Sequence, residues 1–518
     1  MQTGLYLGRA FAWNARHTQQ LETVLAQRGA LPIATDSRGG HPALHAVGKR
    51  QERPLVLPWA ELVGHTLLTG TTRSGKSRTL EVLASEAIRG PGAVVVIDPK
   101  GDRDLLARVA AEAHRQERKF ALLTTAFPAL SATMNPLATA TTPAEVATRI
   151  QALMPTANGR SSDPFYTEYP LALIEQIAAV QHALGIPWTL ENLYVASVLR
   201  RHLESLVEAY LVSLGAHNGR GLKQAISHYQ GALPSDLIAD ALIGQLDKPQ
   251  DYLTKVTSNL IPAFRGVVHD PLGPLFSPME GNTPALTWDT IVENNMVVYL
   301  ALSSMLLGDT ANRIGRIILQ DLVGFLGRRY AYEDMATVAP MTVIIDELRD
   351  VLSPPFLNAL NKGGGAMARF ILAQQSSADM DAALGKDLAR VANDNLNTKV
   401  YFRLADDRTA EDATEGLGLC TVQLPETALG LGYGGVGGLS GSSHRRIAQK
   451  EVPLVRPTWL TALPRGEAFM RCKGEVWKLR VPLLEPVSEE TLEATGLTAI
   501  WQSLTPQPEK EACDAATD

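Results

Sequence analysis

The chain has 518 residues, 45% hydrophobic and 20% charged, which is ordinary globular composition with room for about two to four domains. Its net charge of -6 gives no global basic footprint for nucleic acid, although a ring or channel can be locally basic within an acidic whole. Cys420, Cys472 and Cys513 lie far apart with no C-x-x-C pair, which argues against a zinc site and a disulfide framework and fits a reducing, cytosolic compartment.

In chain order, residues 1–54 are a poorly periodic lead-in, expected to pack on the core, with a Gly- and His-containing stretch from Ser37 to Pro42. Residues 55–150 alternate strands with helices. An apolar run, His65 to Thr69, enters Gly70-Thr71-Thr72-Arg73-Ser74-Gly75-Lys76-Ser77, and a helical pattern follows. This is a complete G-x-x-x-x-G-K-[ST] loop in the strand-to-helix context that the motif requires. It implies a nucleoside triphosphate site in which backbone N–H groups and a helix N-terminus face the phosphates, Lys76 adds a charge and Ser77 a hydroxyl for Mg²⁺. The next strand, Ala93 to Ile97, ends at Asp98, and another is expected near Phe120 to Leu123. Strands apolar throughout, separated by helices, predict an α/β fold with a mainly parallel sheet covered on both faces.

Over residues 151–290 the strand signal disappears. Apolar residues recur at helical spacing, as in Leu171, Ile174, Ile177 and Ala178, and again in Val195, Leu199, Leu203, Leu206 and Tyr210, which predicts an inserted all-α domain. Strands return over 291–485, at Met296–Leu300, Thr342–Ile345, Arg369–Ala373 and Lys399–Leu404, so a sheet begun before the insertion is completed after it. The glycines between 430 and 442 predict a flexible surface loop, and residues 486–518 an acidic, frayed tail. No run of about 18 apolar residues and no signal-peptide pattern is present, so no transmembrane segment is expected.

Hydrolysis of a γ-phosphate needs a metal and a group that orients water. Asp346-Glu347, closing the apolar run Val343 to Ile345, answer that need, with Asp346 toward the Mg²⁺ and Glu347 as base. Asp98 lacks a following carboxylate and is assigned to the nucleotide pocket or to fixing its own turn. Gln375, with Gln374 as the alternative, can hydrogen-bond a γ-phosphate or the attacking water.

These motifs in this order, with Val95-Val96-Ile97-Asp98-Pro99-Lys100-Gly101-Asp102, Ile344-Ile345-Asp346-Glu347, Gln374-Gln375-Ser376, Asn361 to Gly365, Asn395 to Val400, Thr409-Ala410-Glu411 and Leu463 to Phe469, resemble the TraD/TraG type of conjugative coupling protein, closest to the TraD of integrative elements. That type is a branch of the FtsK- and HerA-like ATPases. The resemblance implies a RecA-like P-loop domain carrying the all-α insertion, assembled as a homo-hexamer. It implies use of ATP with Mg²⁺ to drive single-stranded DNA, with its relaxase, into a type IV secretion channel. By matching position, Lys76 and Ser77 carry the phosphate-loop roles, Asp346 and Glu347 the metal and base roles, and Gln375 the sensing role. The family's members usually begin with membrane-spanning helices and this chain shows none, so either a separate protein is the anchor or this is a soluble variant; the expected location is the cytoplasm, with recruitment to the inner face of the membrane. A trans-acting arginine falls to Arg369, Arg390 or Arg403, because the turn that carries it in related branches is Gly363-Gly364-Gly365 here. Lys362 and Arg445-Arg446 are candidate DNA contacts against the plainer reading of solvated loop residues. Two alternatives stand beside the DNA motor: a substrate-docking ATPase of the channel, and an FtsK/HerA-like motor outside conjugation.

Overall fold

The computed structural model describes residues 4–29, 52–154, 168–216, 221–278, 285–434 and 438–504; the Ser37 to Pro42 stretch lies outside them. The strands of the main sheet are β1 (Gly4–Trp13), β2 (Arg53–Pro58), β3 (Thr66–Thr69), β4 (Ala93–Asp98), β5 (Phe120–Thr124), β6 (Val297–Ala301), β7 (Met341–Ile345), β8 (Ala368–Gln374), β9 (Thr398–Tyr401), β12 (Glu467–Cys472) and β13 (Glu475–Arg480). Their order is β2-β1-β13-β12-β9-β3-β8-β7-β4-β6-β5. Pairing is parallel from β9 through β5 and antiparallel from β9 out to β2.

The apolar runs read as strands sit at the centre of this sheet, and successive side chains alternate between two cores as the period of two demands. Val94, Val96, Ile344, Ile371 and Ala373 face the core under helices Lys76–Arg89 and Arg103–Arg115. Val95, Ile97, Val343, Ile345, Phe370 and Leu372 face the other core, shared with helix Asp309–Tyr332 and the helices that precede it. Burial on both faces is why these strands carry no polar alternation.

Among the described residues no strand lies between β5 and β6. That stretch is helical, with side-chain caps from Thr142, Thr189, Asp236 and Thr287. Leu199 departs from the predicted stripe: it is 42% exposed, in extended conformation between helices Leu190–Val198 and Arg200–Ser213. One apolar spacing there spans two helices, and the break turns Leu199 outward.

Three further expectations are corrected. The start of the lead-in is β1, paired on one side by β2 and on the other by β13, whose partner residues, Val476 to Arg480, lie far beyond the reach of local pattern. Residues 430–434 and 438–442 belong to a long antiparallel hairpin, β10 (Leu419–Gly434) with β11 (Gly438–Pro453), in which backbone pairing outweighs the loop preference of the glycines. The start of the tail is ordered too. Helices Glu489–Ala494 and Leu497–Leu504 follow the parallel domain, Leu497 is 1% exposed within a core, and the Arg103 guanidinium lies 4.1 Å from the Trp501 ring centroid. No described helix is long and apolar enough to cross a membrane.

Candidate nucleotide site

The phosphate loop joins β3 to helix Lys76–Arg89 and is propped by neighbouring strand ends. Gly70 N–H donates to Gln374 O at 3.3 Å, Thr71 N–H to Arg403 O at 2.9 Å, and Gly466 N–H to Ser74 O at 2.9 Å. The two glycines serve different ends. Gly75 has φ of +117°, and a Cβ there would lie 2.9 Å from Gly466 N. At Gly70 the constraint is crowding, since a Cβ would lie 2.7 Å from both Phe402 Cβ and Ser74 Oγ. Arg73 also takes positive φ, at 59°. Lys76 donates to Gly70 O and, at 3.2 Å, to Thr71 O, so its ammonium spans the loop. Burial holds the Lys76 pKa below the usual lysine range, opposed by the charges of Glu347 and Asp346. A cleft of about 460 Å³ lies over the loop, lined by Thr71, Thr72, Arg73, Gly75, Lys76, Ser77, Lys100, Asp102, Glu347 and Arg465 among others.

Strand order brings the remaining groups in. β8 lies between β3 and β7, so the carboxylates at the end of β7 are two strands, about 10 Å, from the phosphate-loop strand rather than beside it. The ends of β8 fill the gap with Gln374 and Gln375. Gln375 Nε2 donates to both Glu347 oxygens at 3.1 Å, whereas Gln374 points to Thr69 Oγ1 at 3.3 Å. Geometry therefore selects Gln375 as the amide in contact with Glu347. Glu347 stands in left-handed conformation, φ 53°, at the start of the short helix Leu348–Val351, which turns its side chain over the cleft. Its carboxylate also forms an ion pair with Lys100. Asp346 is 2% exposed and accepts from Glu347 N–H at 3.1 Å. Burial pushes its carboxyl up to about 6, with the Lys100 charge opposing.

Asp98 is fully buried and does not line the cleft. It accepts from Lys100 N–H at 2.9 Å, from Asp102 N–H, and from the Tyr299 hydroxyl at 2.6 Å. Of its two predicted roles the geometry supports fixing the turn. Burial raises its pKa, against the pull of those donors. The turn in turn presents Lys100 to the cleft and leaves Asp102 to cap helix Arg103–Arg115 through Asp104 and Leu105 N–H.

The other sequence candidates are spread apart. Arg369 is 4% exposed with its guanidinium 4.7 Å from the Trp59 ring centroid, in the half of β8 remote from the loop, so it is buried within its own chain away from the cleft. Arg403 is half-buried beside the phosphate loop and Arg390 exposed on helix Lys386–Asp394. Lys362 is exposed at the opposite end of the strands from the phosphate loop. Its glycines do not form an open loop: a Cβ at Gly364 would lie 2.7 Å from Val63 O and one at Gly365 2.6 Å from Tyr330, so they permit close packing of a short 3-10 turn. The side chains of Arg445 and Arg446 lie outside what is described.

Residues 53–210 match the family model for the type IV secretion-system coupling protein DNA-binding domain, and residues 340–465 match that for the TraM recognition site of TraD and TraG. The chain belongs to the TraD/TraG-type coupling proteins. Solved structures of the coupling protein TrwB share its fold. An unbound form of TrwBdeltaN70 is 15% identical with a TM-score of 0.57, covering 93% of this chain and 94% of that one. The TrwB complex with ADP and Mg²⁺ is 14% identical, TM-score 0.57, covering 94% and 96%. The complex with the ATP analogue ADPNP is 15% identical, TM-score 0.55, covering 93% and 96%. No curated protein sequence matches.

The coupling protein's donor set suits Mg²⁺ held jointly with phosphates. Among the described residues no group of three or more His, Cys, Asp or Glu side chains forms a cage. What the site offers is hard oxygen: the buried carboxylate of Asp346, which makes no ion pair within 4 Å among the described residues, and the Ser77 hydroxyl at the loop. The sequence reading missed Lys100, Tyr299 and Arg465, the last donating from Nε to Arg73 O at 3.1 Å. The run Asp98 to Asp102 and the run Leu463 to Phe469 were visible as motifs, but neither says which side chain faces the cleft.

Proposed function

We propose that this coupling protein is an ATPase that drives single-stranded DNA, with its relaxase, toward a type IV secretion channel. The observation that carries the ATPase reading is that Lys76 and Glu347 line one cleft across β3, β8 and β7, with Gln375 hydrogen-bonded to Glu347 and Asp346 buried directly behind it. Backbone N–H groups of Thr71 to Ser77 cradle the phosphates and Lys76 leaves the loop carbonyls for them. Ser77 and Asp346 hold Mg²⁺, which when bound neutralises phosphate charge. Glu347 accepts a proton from the attacking water, and Gln375, already on the Glu347 carboxylate, aligns that water. TrwB has been solved with ADP and Mg²⁺ and with ADPNP, which supports the same ligands here.

The match of residues 53–210 to a DNA-binding domain model supports DNA as the substrate, and the likeness to coupling proteins implies assembly as a homo-hexamer. The TraM recognition match favours a second reading, in which residues 340–465 dock a relaxosome protein and hydrolysis gates that assembly. Hydrolysis of ATP by the purified chain, with and without single-stranded DNA, separates the two. The motor reading expects many-fold stimulation by DNA, abolished by Lys76→Ala and by Glu347→Gln. DNA-independent hydrolysis would refute it and favour docking.

A further inference from the structure

Glu347, the proposed base, is held by two donor side chains in this structure. Both its oxygens accept from Gln375 Nε2 and one is paired with the Lys100 ammonium. Lys100 is no incidental surface partner. Its backbone is tied by Asp98, which also takes Asp102 N–H and the Tyr299 hydroxyl, so the turn has little freedom to move. Its ammonium lines the same cleft as Lys76 and Ser77, and the side chain is 44% exposed where Glu347 is 11% exposed, so the lysine is the accessible member of the pair. The two lysines and the two carboxylates sense one another's charge: Lys100 depresses Lys76, while Glu347 and Asp346 support both. An ammonium held by a single carboxylate at the edge of a phosphate cleft has a stronger partner available in a terminal phosphate, which carries more charge and more acceptor oxygens.

We propose that Lys100 reads the terminal phosphate of a bound nucleoside triphosphate, and that this exchange of partners releases Glu347 to face water. Lys100 is thus a positioning residue for Glu347 and a discriminator of triphosphate from diphosphate. A diphosphate bound through the loop leaves the Lys100–Glu347 pair closed. The proposal rests on the nucleotide-site reading above.

The test is a binding cycle on the full chain with two probes, ADPNP and ADP, each with Mg²⁺. K100M is expected to weaken ADPNP about tenfold or more, the scale of one charge-assisted hydrogen bond, and to leave ADP within about threefold. K100R, which keeps the charge, retains most of the preference. E347Q removes the competing carboxylate charge, so ADPNP is expected to bind several-fold tighter in the wild-type background and unchanged when K100M is also present. Equal losses for both nucleotides in K100M, or effects of K100M and E347Q that simply add, would overturn the proposal while leaving the nucleotide site intact. Binding of neither nucleotide by the wild-type chain would overturn the site reading, and this one with it.

Discussion

Arg149 and Asp321 bolt the helical region to the parallel domain, and cutting that bolt should be costly in a way that depends on how it is cut. Arg149, on helix Pro143–Gln151, and Asp321, on helix Asp309–Tyr332, have side chains 2% and 1% exposed and approach to 3.2 Å. Asp321 also accepts from Trp288 Nε1 at 2.7 Å and from the Thr139 hydroxyl. Asp321→Ala strips all three donors of their acceptor and leaves the guanidinium buried, with Thr139 Oγ1 at 3.0 Å and Leu137 O at 3.4 Å as its remaining contacts and Glu145 at 3.8 Å. Breaking a buried pair from one side costs about 3–5 kcal/mol, a large part of the stability of any domain. Asp321→Asn keeps an acceptor in place. Burial pushes the Asp321 carboxyl from 3.8 up to about 6 despite the Arg149 charge, so desolvation outweighs the pair's attraction. The amide, which keeps one acceptor oxygen and fills the space, should therefore cost less than the alanine, although its NH₂ faces a donor. The same shift fixes a sign with pH. A folded pKa above the unfolded one means that the folded state takes up the proton first, so stability is gained as pH falls through 6 and lost as it rises. Relative to Asp321→Asn, the wild type should gain about 1 kcal/mol between pH 7 and pH 5. Urea denaturation followed by circular dichroism at several pH values reads all three quantities. An Asn variant as unstable as the Ala variant, or no pH-dependent difference between wild type and Asn, would refute the reasoning.

Tyr299→Phe deletes the 2.6 Å donor to buried Asp98 and should cost about 1–3 kcal/mol in denaturant melts, with the two backbone donors keeping the turn in place. Gly75→Ala forces a Cβ onto Gly466 N at a φ of +117°; the expected result is a strain of at least 1–2 kcal/mol, roughly, and loss of nucleotide binding in titration calorimetry. Trp501→Ala removes the ring beneath Arg103 and should lower stability by about 1–3 kcal/mol. Limited proteolysis should then cut within residues 486–504 first, and equal resistance to wild type would count against the docked reading of that segment.

Motifs carried by contiguous residues, and the strands that hold them, were legible in the linear chain. Gly70 to Ser77 needs only a strand before and a helix after, and fully apolar runs such as Ala93 to Ile97 announce strands buried on both faces because no solvent face remains to be polar. Asp346-Glu347 and the helical insertion followed from the same local logic. Tertiary structure decided what depends on partners far away in sequence. The insertion of β8 between β3 and β7 chose Gln375 over Gln374 as the contact of Glu347, since adjacent residues of a strand point to opposite faces and the strand order is not written in either. The antiparallel wing from β9 to β2 escaped notice because its pairing joins the first and last parts of the chain. Lys100 could be seen in the sequence but not assigned, because its meaning lies in a carboxylate 247 residues away.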